Sequence, residues 1–293
     1  MQPSDFRFHH PLHARAAGVD RPGTALFSHE LMDFDSAFAH YWRALAVPYA
    51  AAMQRLGGHI VLRKATVECR TAPRVGEPLD VALRCERIDH AGMRFVGAIF
   101  HDGQWLSAGE WVCDFADAVT HASRPVPAPL RQLLQAYEAG QPITRVQTGD
   151  WATLADAASA VRTAVFVEEQ GISRDDEWDA ADPTAVHVVV HNLLDMPVAT
   201  GRLLHEGRPG SGTARIGRVA VDKSLRGTHL GQQVMQALQQ AALERGDRHV
   251  VLSAQRSAEG FYARLGYVAQ GEPYEEVGIA HIDMRRAWGV VGG

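Results

Sequence analysis

The sequence predicts an α+β protein of two domains, an antiparallel sheet around a central helix followed by a mixed α/β domain. Three observations carry that prediction. The 293-residue chain exceeds the size at which a single core keeps growing, so two cores are expected. The first half reads strand, helix and then a run of period-two segments, whereas the second half interleaves strands with helices. The break between the two patterns falls near residues 138–145, giving expected domains of 1–140 and 141–293.

The first half opens on a strand-like stretch over Phe6 to Arg15, followed by a turn at VDRPG, Val19 to Gly23. Phe34, Phe38, Trp42 and Leu45 then recur every three or four residues while Asp33, Asp35 and His40 fall elsewhere on the wheel, which predicts a helix with Ser28 as its cap. Beyond Gly57 and Gly58 the period changes to two. Ala65, Val67 and Cys69 alternate with polar residues, as do Leu79, Val81, Leu83 and Cys85. RFVGAIF (Arg94 to Phe100) and LSAGEWVCDF (Leu106 to Phe115) flank the polar turn His101 to Gly103 as an antiparallel hairpin does. Pro125, Pro127 and Pro129 interrupt regular structure, and LRQLLQAYEAG reads as a short helix that stops at Gly140.

From about Arg145 an amphipathic helix over Ala152 to Glu168 precedes an acidic, irregular stretch, ISRDDEWDAADP. Strands follow over Val186 to His191, Ala199 to Leu204 and Ala214 to Val221. The turn LRGTHLG leads into a helix from about Leu230 to Arg245, with Leu230, Val234, Ala237, Leu238 and Ala241 on one face and Gly246 as its stop. Strand HVVLSA, helix SAEGFYARLG and a last strand over Ile279 to Met284 complete the pattern.

Composition narrows the function classes. An apolar share of 46% with 22% charged residues is that of a globular protein, and a net charge of -5 argues against nucleic acid or an anionic membrane as main partner. The start MQPSDFRFHHPLHARAAG lacks a signal peptide's apolar stretch, and no run approaches the ~18 residues that span a bilayer. A cytoplasmic protein is expected. Cys69, Cys85 and Cys113 lack metal-ligand spacing and read as reduced core residues. His9 and His13 share a strand face while His10 points away, without a carboxylate or cysteine partner at matching spacing, so no metal is expected there.

The most specific signal is the strand RIGRVAV feeding RGTHLG at the start of a long helix. A helix N-terminus offers unpaired N–H groups and the positive end of its dipole, which suits a pyrophosphate. Arg226, Gly227, Thr228, His229, Leu230 and Gly231 resemble the Arg/Gln-x-x-Gly-x-Gly/Ala signature of GNAT acetyltransferases, with His229 at the middle glycine. AQRSAEGFYARLGY is similar to that family's Asn-x-x-Ala-x-x-Phe-Tyr segment, with Gln255 in place of asparagine. VRTAVFVEEQGI and EPYEEVGIAHIDMRR extend the resemblance, over about 140 residues, to the ElaA-like subfamily. It implies acetyl-CoA or another acyl-CoA as co-substrate, held by the signature residues and by the backbone of Val219, Ala220 and Val221. It also implies that Tyr262 protonates the departing CoA thiolate, a role within reach of a phenol. The amine acceptor, a small molecule or a protein, needs help in losing a proton. Glu169, Glu276, His281 and Asp283 are candidates, with His281 and Glu276 favoured by their place in the matching C-terminal segment.

The first half resembles the 4-hydroxybenzoyl-CoA thioesterase type of hotdog domain over about residues 5–137. Asp20, three residues before Gly23, matches that family's catalytic aspartate, and PRVGEPLDV resembles its strand start with Glu77 where aspartate is usual. The resemblance implies that backbone N–H groups near Phe27 to His29 polarise a thioester carbonyl while Asp20 attacks it or activates water. FSHEL stands where the family has Tyr-x-Asn-Tyr, and Asp35 is a second carboxylate. It further implies a homodimer or tetramer through the hotdog domain. The expected fold is therefore a hotdog domain followed by a GNAT domain, and the leading function is a bifunctional acyl-CoA enzyme, hydrolase and N-acyltransferase. One alternative makes the hotdog half a non-catalytic dimerisation or acyl-CoA-sensing module. Another makes the GNAT half a binding domain in which His229 blocks CoA.

Overall fold

In the computed structural model, which describes residues 1–15, 27–207 and 211–288, the chain divides into two units, Met1–Ile143 and Thr144–Gly293. The first contains β1 (Phe8–His13), α1 (Phe27–Ala44), α2 (Tyr49–Leu56), β2 (Gly58–Cys69), β3 (Pro78–Ile88), β4 (Gly92–His101), β5 (Gln104–Asp117) and α3 (Ala128–Glu138). Its five strands form one antiparallel sheet in the order β1-β3-β4-β5-β2.

Helix α1 packs on this sheet through aromatic side chains at its three-to-four-residue spacing. Phe34 meets Trp111 at 4.4 Å between ring centroids, and Phe38 and Tyr41 meet Phe95 at 5.1 and 5.9 Å. Phe34, Tyr41 and Leu45 are fully buried, each contributing about 1.5–3 kcal/mol from apolar area alone. A Cβ at Gly97 would stand 2.8 Å from the Ala82 carbonyl and 3.0 Å from the Phe34 ring, so its absence sets how closely helix and sheet approach. A long helix held against an antiparallel sheet in this order is the hotdog fold.

Several local expectations need correction. Ser28 falls within α1 and not ahead of it, since the helix spans Phe27–Ala44. Helix α2 is too short and too alanine-rich to show a periodic stripe. Pro129 falls in the first turn of α3, where its missing N–H costs no intrahelical bond. Strand β2 is exposed on both faces from Leu62 to Thr66, so the period-two pattern there does not mark a core face, and Cys69 is exposed while Cys85 and Cys113 are buried. The cause is position, since β2 is an edge strand. The β4–β5 turn forms as expected, with Asp102 and Gly103 both at positive φ, as a two-residue hairpin loop requires.

The second unit contains β6 (Thr144–Gly149), α4 (Trp151–Arg162), α5 (Arg174–Glu177), β7 (Val186–Asn192), β8 (Pro197–His205), β9 (Thr213–Val221), α6 (Leu230–Glu244), β10 (His249–Gln255), α7 (Glu259–Arg264), β11 (Val268–Glu276) and β12 (Ile279–Ala287). The seven strands are ordered β11-β12-β10-β9-β8-β7-β6, with β9 and β10 parallel and every other pair antiparallel. Strands β6 and β11 escape the period-two reading because both are edge strands with mostly polar, exposed side chains. Helix α4 runs on into a π-helical turn, Thr163–Glu169, a form associated with functional positions. The acidic stretch after it is more ordered than expected. It contains α5, capped by the Ser173 hydroxyl, and a single 3₁₀ turn, Asp182–Thr184. Among the described residues no helix is long and apolar enough to cross a membrane.

Candidate active site

Strands β9 and β10 pair from Thr213 to Ile216 against His249 to Leu252 and then part. On its other side β9 carries one extra residue against β8, between Gly217 and Ala220, and Arg218 within that bulge has φ 53°. A bulge re-aims side chains and bends its strand. The cleft that opens between the parted strands has two lobes of about 700 and 300 Å³, and Gln170, Val219, Gln255, Ala258 and Tyr262 line both.

The larger lobe collects most of the residues expected to hold an acyl-CoA. Val219, Ala220, Val221, Arg226, Gly227, His229, Leu230 and Gly231 line it. Helix α6 begins in this lobe with no cap bond from the side chain of its N-cap residue, His229, and the N–H groups of a helix's first turn are suited to an anion. His229 takes φ 66°, the left-handed conformation that glycine adopts freely. The histidine therefore preserves the backbone path of the turn. Gly231 is tightly placed, as a Cβ there would come 3.3 Å from the Phe261 ring and 3.5 Å from Val221. Thr228 does not line the lobe, and its hydroxyl turns back to the Leu225 carbonyl. Arg226 pairs bidentately with Glu169 at 2.8 and 2.6 Å, which holds the Glu169 carboxyl below its ordinary range. Glu169 is thus an ion-pair partner more than a proton acceptor.

Tyr262 stands where the lobes meet. Burial pushes its phenol up, so it stays protonated across the physiological range, and its hydroxyl has no hydrogen-bond partner among the described residues. Beside it Gln255 donates to Gln170 at 3.1 Å, joining the end of β10 to the residue after the π-helical turn. Sequence reasoning did not find Gln170, because only the π turn brings it to the cleft.

His281 and Glu276 both line the smaller lobe. His281 donates from Nδ1 to the Ile279 carbonyl at 2.8 Å, since a carbonyl only accepts, and its Nε2 is left with a lone pair when the ring is neutral. Tyr274 stacks on that ring at 6.2 Å and links Ser253 to Asp283, which lies 2.9 Å from the tyrosine oxygen. Glu276 lies 3.4 Å from the Ser253 hydroxyl. Asp283 is outside the lobe lining, one hydrogen bond behind it.

A buried charge network unforeseen from the sequence supports this lobe. Arg162 is 1% exposed and bonds Glu177 at 2.5 Å and Asp182 at 2.8 and 3.2 Å, with its guanidinium 4.4 Å from the centre of the Trp178 ring. Arg202 bridges Asp182 to Asp179, and Arg218 approaches Glu177 and Asp179. One signal was available: a lone arginine on the apolar face of α4, ahead of an acid-rich segment.

In the first unit, Asp20 and the turn around it lie outside the described residues. Asp35 is exposed on α1. Glu30, in the first turn of α1, is buried and accepts from the Cys69 thiol at 2.7 Å, while Asp33 pairs with Arg15. His9 pairs with Asp80, and His10 stacks on His40 at 3.9 Å. Among the described residues no group of three or more His, Cys, Asp or Glu is placed to hold a metal ion.

Residues 172–287 match the family described as acetyltransferase (GNAT) domain. YyaT of Bacillus subtilis strain 168 is 33% identical over 132 residues, 44% of this chain and 86% of YyaT. ElaA of Escherichia coli K12 is 36% identical over 128 residues, 43% of this chain and 82% of ElaA. The crystal structure of Escherichia coli ElaA superposes with TM-score 0.45 at 32% identity, covering 49% of this chain and 99% of that one. A 1,4-dihydroxy-2-naphthoyl-CoA thioesterase from Synechocystis superposes with TM-score 0.41 at 14% identity, covering 46% of this chain and 98% of its own.

Proposed function

Since the chain belongs, through its C-terminal half, to the GNAT acetyltransferase family, we propose that this half transfers an acetyl or other acyl group from CoA to an amine. The observation that carries the reading is the parting of β9 from β10 beside the uncapped start of α6, with Tyr262 at the junction of the two lobes. A cleft of about 700 Å³ is in the range that takes cofactor-sized ligands. The first N–H groups of α6 receive the pyrophosphate, and the free edge of Val219 to Val221 receives the pantetheine arm. Arg226 first satisfies Glu169, so it shapes the turn and adds positive charge near the phosphates.

The acceptor nitrogen enters from the smaller lobe and forms a C–N bond to the thioester carbonyl carbon as the C–S bond breaks. His281, with Nε2 free to accept, takes the amine proton directly or through water, and Glu276 adds negative charge beside the cationic amine. Tyr262 gives its proton to the leaving sulfur. Its buried phenol is protonated at neutral pH and so has that proton to give. Calorimetric titration with CoA tests the donor site, and absence of both heat and thermal stabilisation would sink the reading.

The N-terminal half supplies a second activity in this proposal, hydrolysis of acyl-CoA thioesters by Asp20. Support comes from the hotdog fold and from the sequence around Asp20 and Gly76. Free-thiol release from acyl-CoAs without added amine tests it, and release that persists in Asp20→Asn would overturn it. The same half forms the homodimer. Strand β2 offers a twelve-residue edge, exposed on both faces around Leu62, to the equivalent strand of a second copy.

A further inference from the structure

The smaller lobe presents three guanidiniums, which capture of an amine alone does not call for. Arg202, Arg215 and Arg218 all line it. The carboxylates that neutralise the first two, Asp179, Asp182 and Glu206, sit outside the lining, so they hold these guanidiniums from behind and leave their other edges to the lobe. Arg202 is buried, with a side chain 6% exposed and an Nε that has no hydrogen-bond partner among the described residues. Arg218 is held loosely. Its contacts to Glu177, Asp176 and Asp179 run from 3.2 to 3.4 Å, at or beyond the usual hydrogen-bond range, and its Nη1 has no partner among the described residues. It also occupies the positive-φ position of the β9 bulge, directly before Val219 at the junction with the donor lobe. A non-glycine residue held in that conformation beside a reacting centre is a candidate for function.

From this arrangement we infer that the acceptor is a free amino acid, whose carboxylate is bound by Arg218 with Arg202 and Arg215 behind it, and whose amine faces His281 and Glu276. The inference rests on the transferase reading and names its acceptor class. Charge balance selects a zwitterion. Three arginines and three carboxylates, Asp176, Glu177 and Glu276, share the lining, so a molecule with one charge of each sign finds a partner for both, whereas a phosphate dianion or a polyamine finds a partner for one sign only. Size agrees, since about 300 Å³ accommodates an amino acid. A planar guanidinium grips a carboxylate through two parallel N–H bonds and so fixes the orientation of the amine. The amine nitrogen bonds to the acyl carbon, its proton leaves through His281, the C–S bond breaks, and the sulfur takes the Tyr262 proton. The products are an N-acyl amino acid and CoA thiol.

The test uses the full-length chain, acetyl-CoA, and pairs of acceptors that differ only by a carboxylate, such as phenylalanine with phenethylamine and leucine with isoamylamine. In at least one pair the amino acid is expected to show kcat/KM about tenfold or more above its decarboxylated partner, the size of one charge-assisted contact. Arg218→Gln should collapse that ratio toward one through the KM of the amino acid, with Arg218→Lys intermediate. Should Arg218→Gln fail to fold, competitive inhibition of the parent by the matching carboxylate, 3-phenylpropionate, gives the same information. Amines that turn over as well as the amino acids, a ratio unmoved by Arg218→Gln, or no competition by the carboxylate would each overturn the assignment. A chain that does not bind acetyl-CoA by calorimetry overturns the transferase reading itself, which separates the two failures.

Discussion

Replacing Arg162 with leucine tests whether its buried network holds the acceptor side of the cleft together. Its guanidinium engages Glu177 at 2.5 Å, the Glu177 carbonyl at 2.8 Å and Asp182 at 2.8 Å. Leucine fills part of the volume but leaves two buried carboxylates short of a partner. Breaking a buried pair in this way costs about 3–5 kcal/mol. The lower part of that range is expected, because Asp182 keeps Arg202 at 2.8 Å and Glu177 keeps Arg218 at 3.3 Å. For a unit of this size each kcal/mol shifts Tm by about 2–4 °C, so scanning calorimetry at pH 7 should record a fall of roughly 6–16 °C. The pH dependence has a definite sign. Burial already pushes the Glu177 carboxyl up, and loss of Arg162 pushes it further. A carboxyl raised in the folded state binds its proton more tightly there than in the unfolded chain, so the deficit should shrink as pH falls toward 5 and grow toward 7. A loss under about 1 kcal/mol, or one that is the same at both pH values, would refute the uncompensated-charge argument.

Tyr262→Phe should lower kcat by about a hundredfold, with KM for acetyl-CoA shifted less than about threefold, in steady-state assays with an accepted amine. His229→Gly removes a left-handed non-glycine residue but frees the unfolded chain, so a net gain of about 0.5–1 kcal/mol is expected by thermal melt, and a loss would show that the imidazole has a stabilising contact. Two hydrogen bonds from Arg202 pull Asp179 down to about 2. Its stabilisation is therefore complete above the unfolded value of about 4 and fades as pH falls toward 2, and Asp179→Asn should flatten the acid limb in that window. Asp20→Asn should abolish thiol release while leaving amine-dependent transfer intact, measured on one panel of acyl-CoAs.

The elements legible in the sequence are those whose burial imposes a period. Helix α1 announces itself through Phe34, Phe38, Trp42 and Leu45, and β3 through Leu79, Val81, Leu83 and Cys85, because each packs one face on a core. Strands β6 and β11 stayed hidden for the converse reason. Both are edges whose side chains are largely exposed, so pairing of the backbone makes them strands and no apolar pattern has to record it. The residues around the lobe proposed for the donor were legible as local structure, since a strand, a tight turn and a helix start are local features. His229 shows the limit of that reading. Its residue type suggested an obstacle, but the turn requires a backbone conformation, which the histidine adopts at φ 66°.

The lobe proposed for the acceptor was not readable, and the reason is physical. Arg162, Glu177, Asp182, Arg202 and Arg218 come from five separate segments, and apart from the place of Arg162 on the apolar face of α4 nothing in their spacing predicts that a guanidinium will be buried. A charged side chain is normally a solvated one, and it goes inside only when its partners arrive from elsewhere in the fold. The acidic stretch looked irregular for that reason. Its carboxylates have no local partner, and they acquire three arginines only once α4, β8 and β9 are in place. The same assembly brings Arg218 to the acceptor lobe, where its loose contacts contrast with the short bonds of Arg162 behind it. Arg162 fixes the position of Glu177 and Asp182, and those carboxylates in turn keep Arg202 and Arg218 near the cleft. A substitution at Arg162 should therefore raise the KM of a carboxylate-bearing acceptor as well as lower the melting temperature, although Arg162 does not line the lobe.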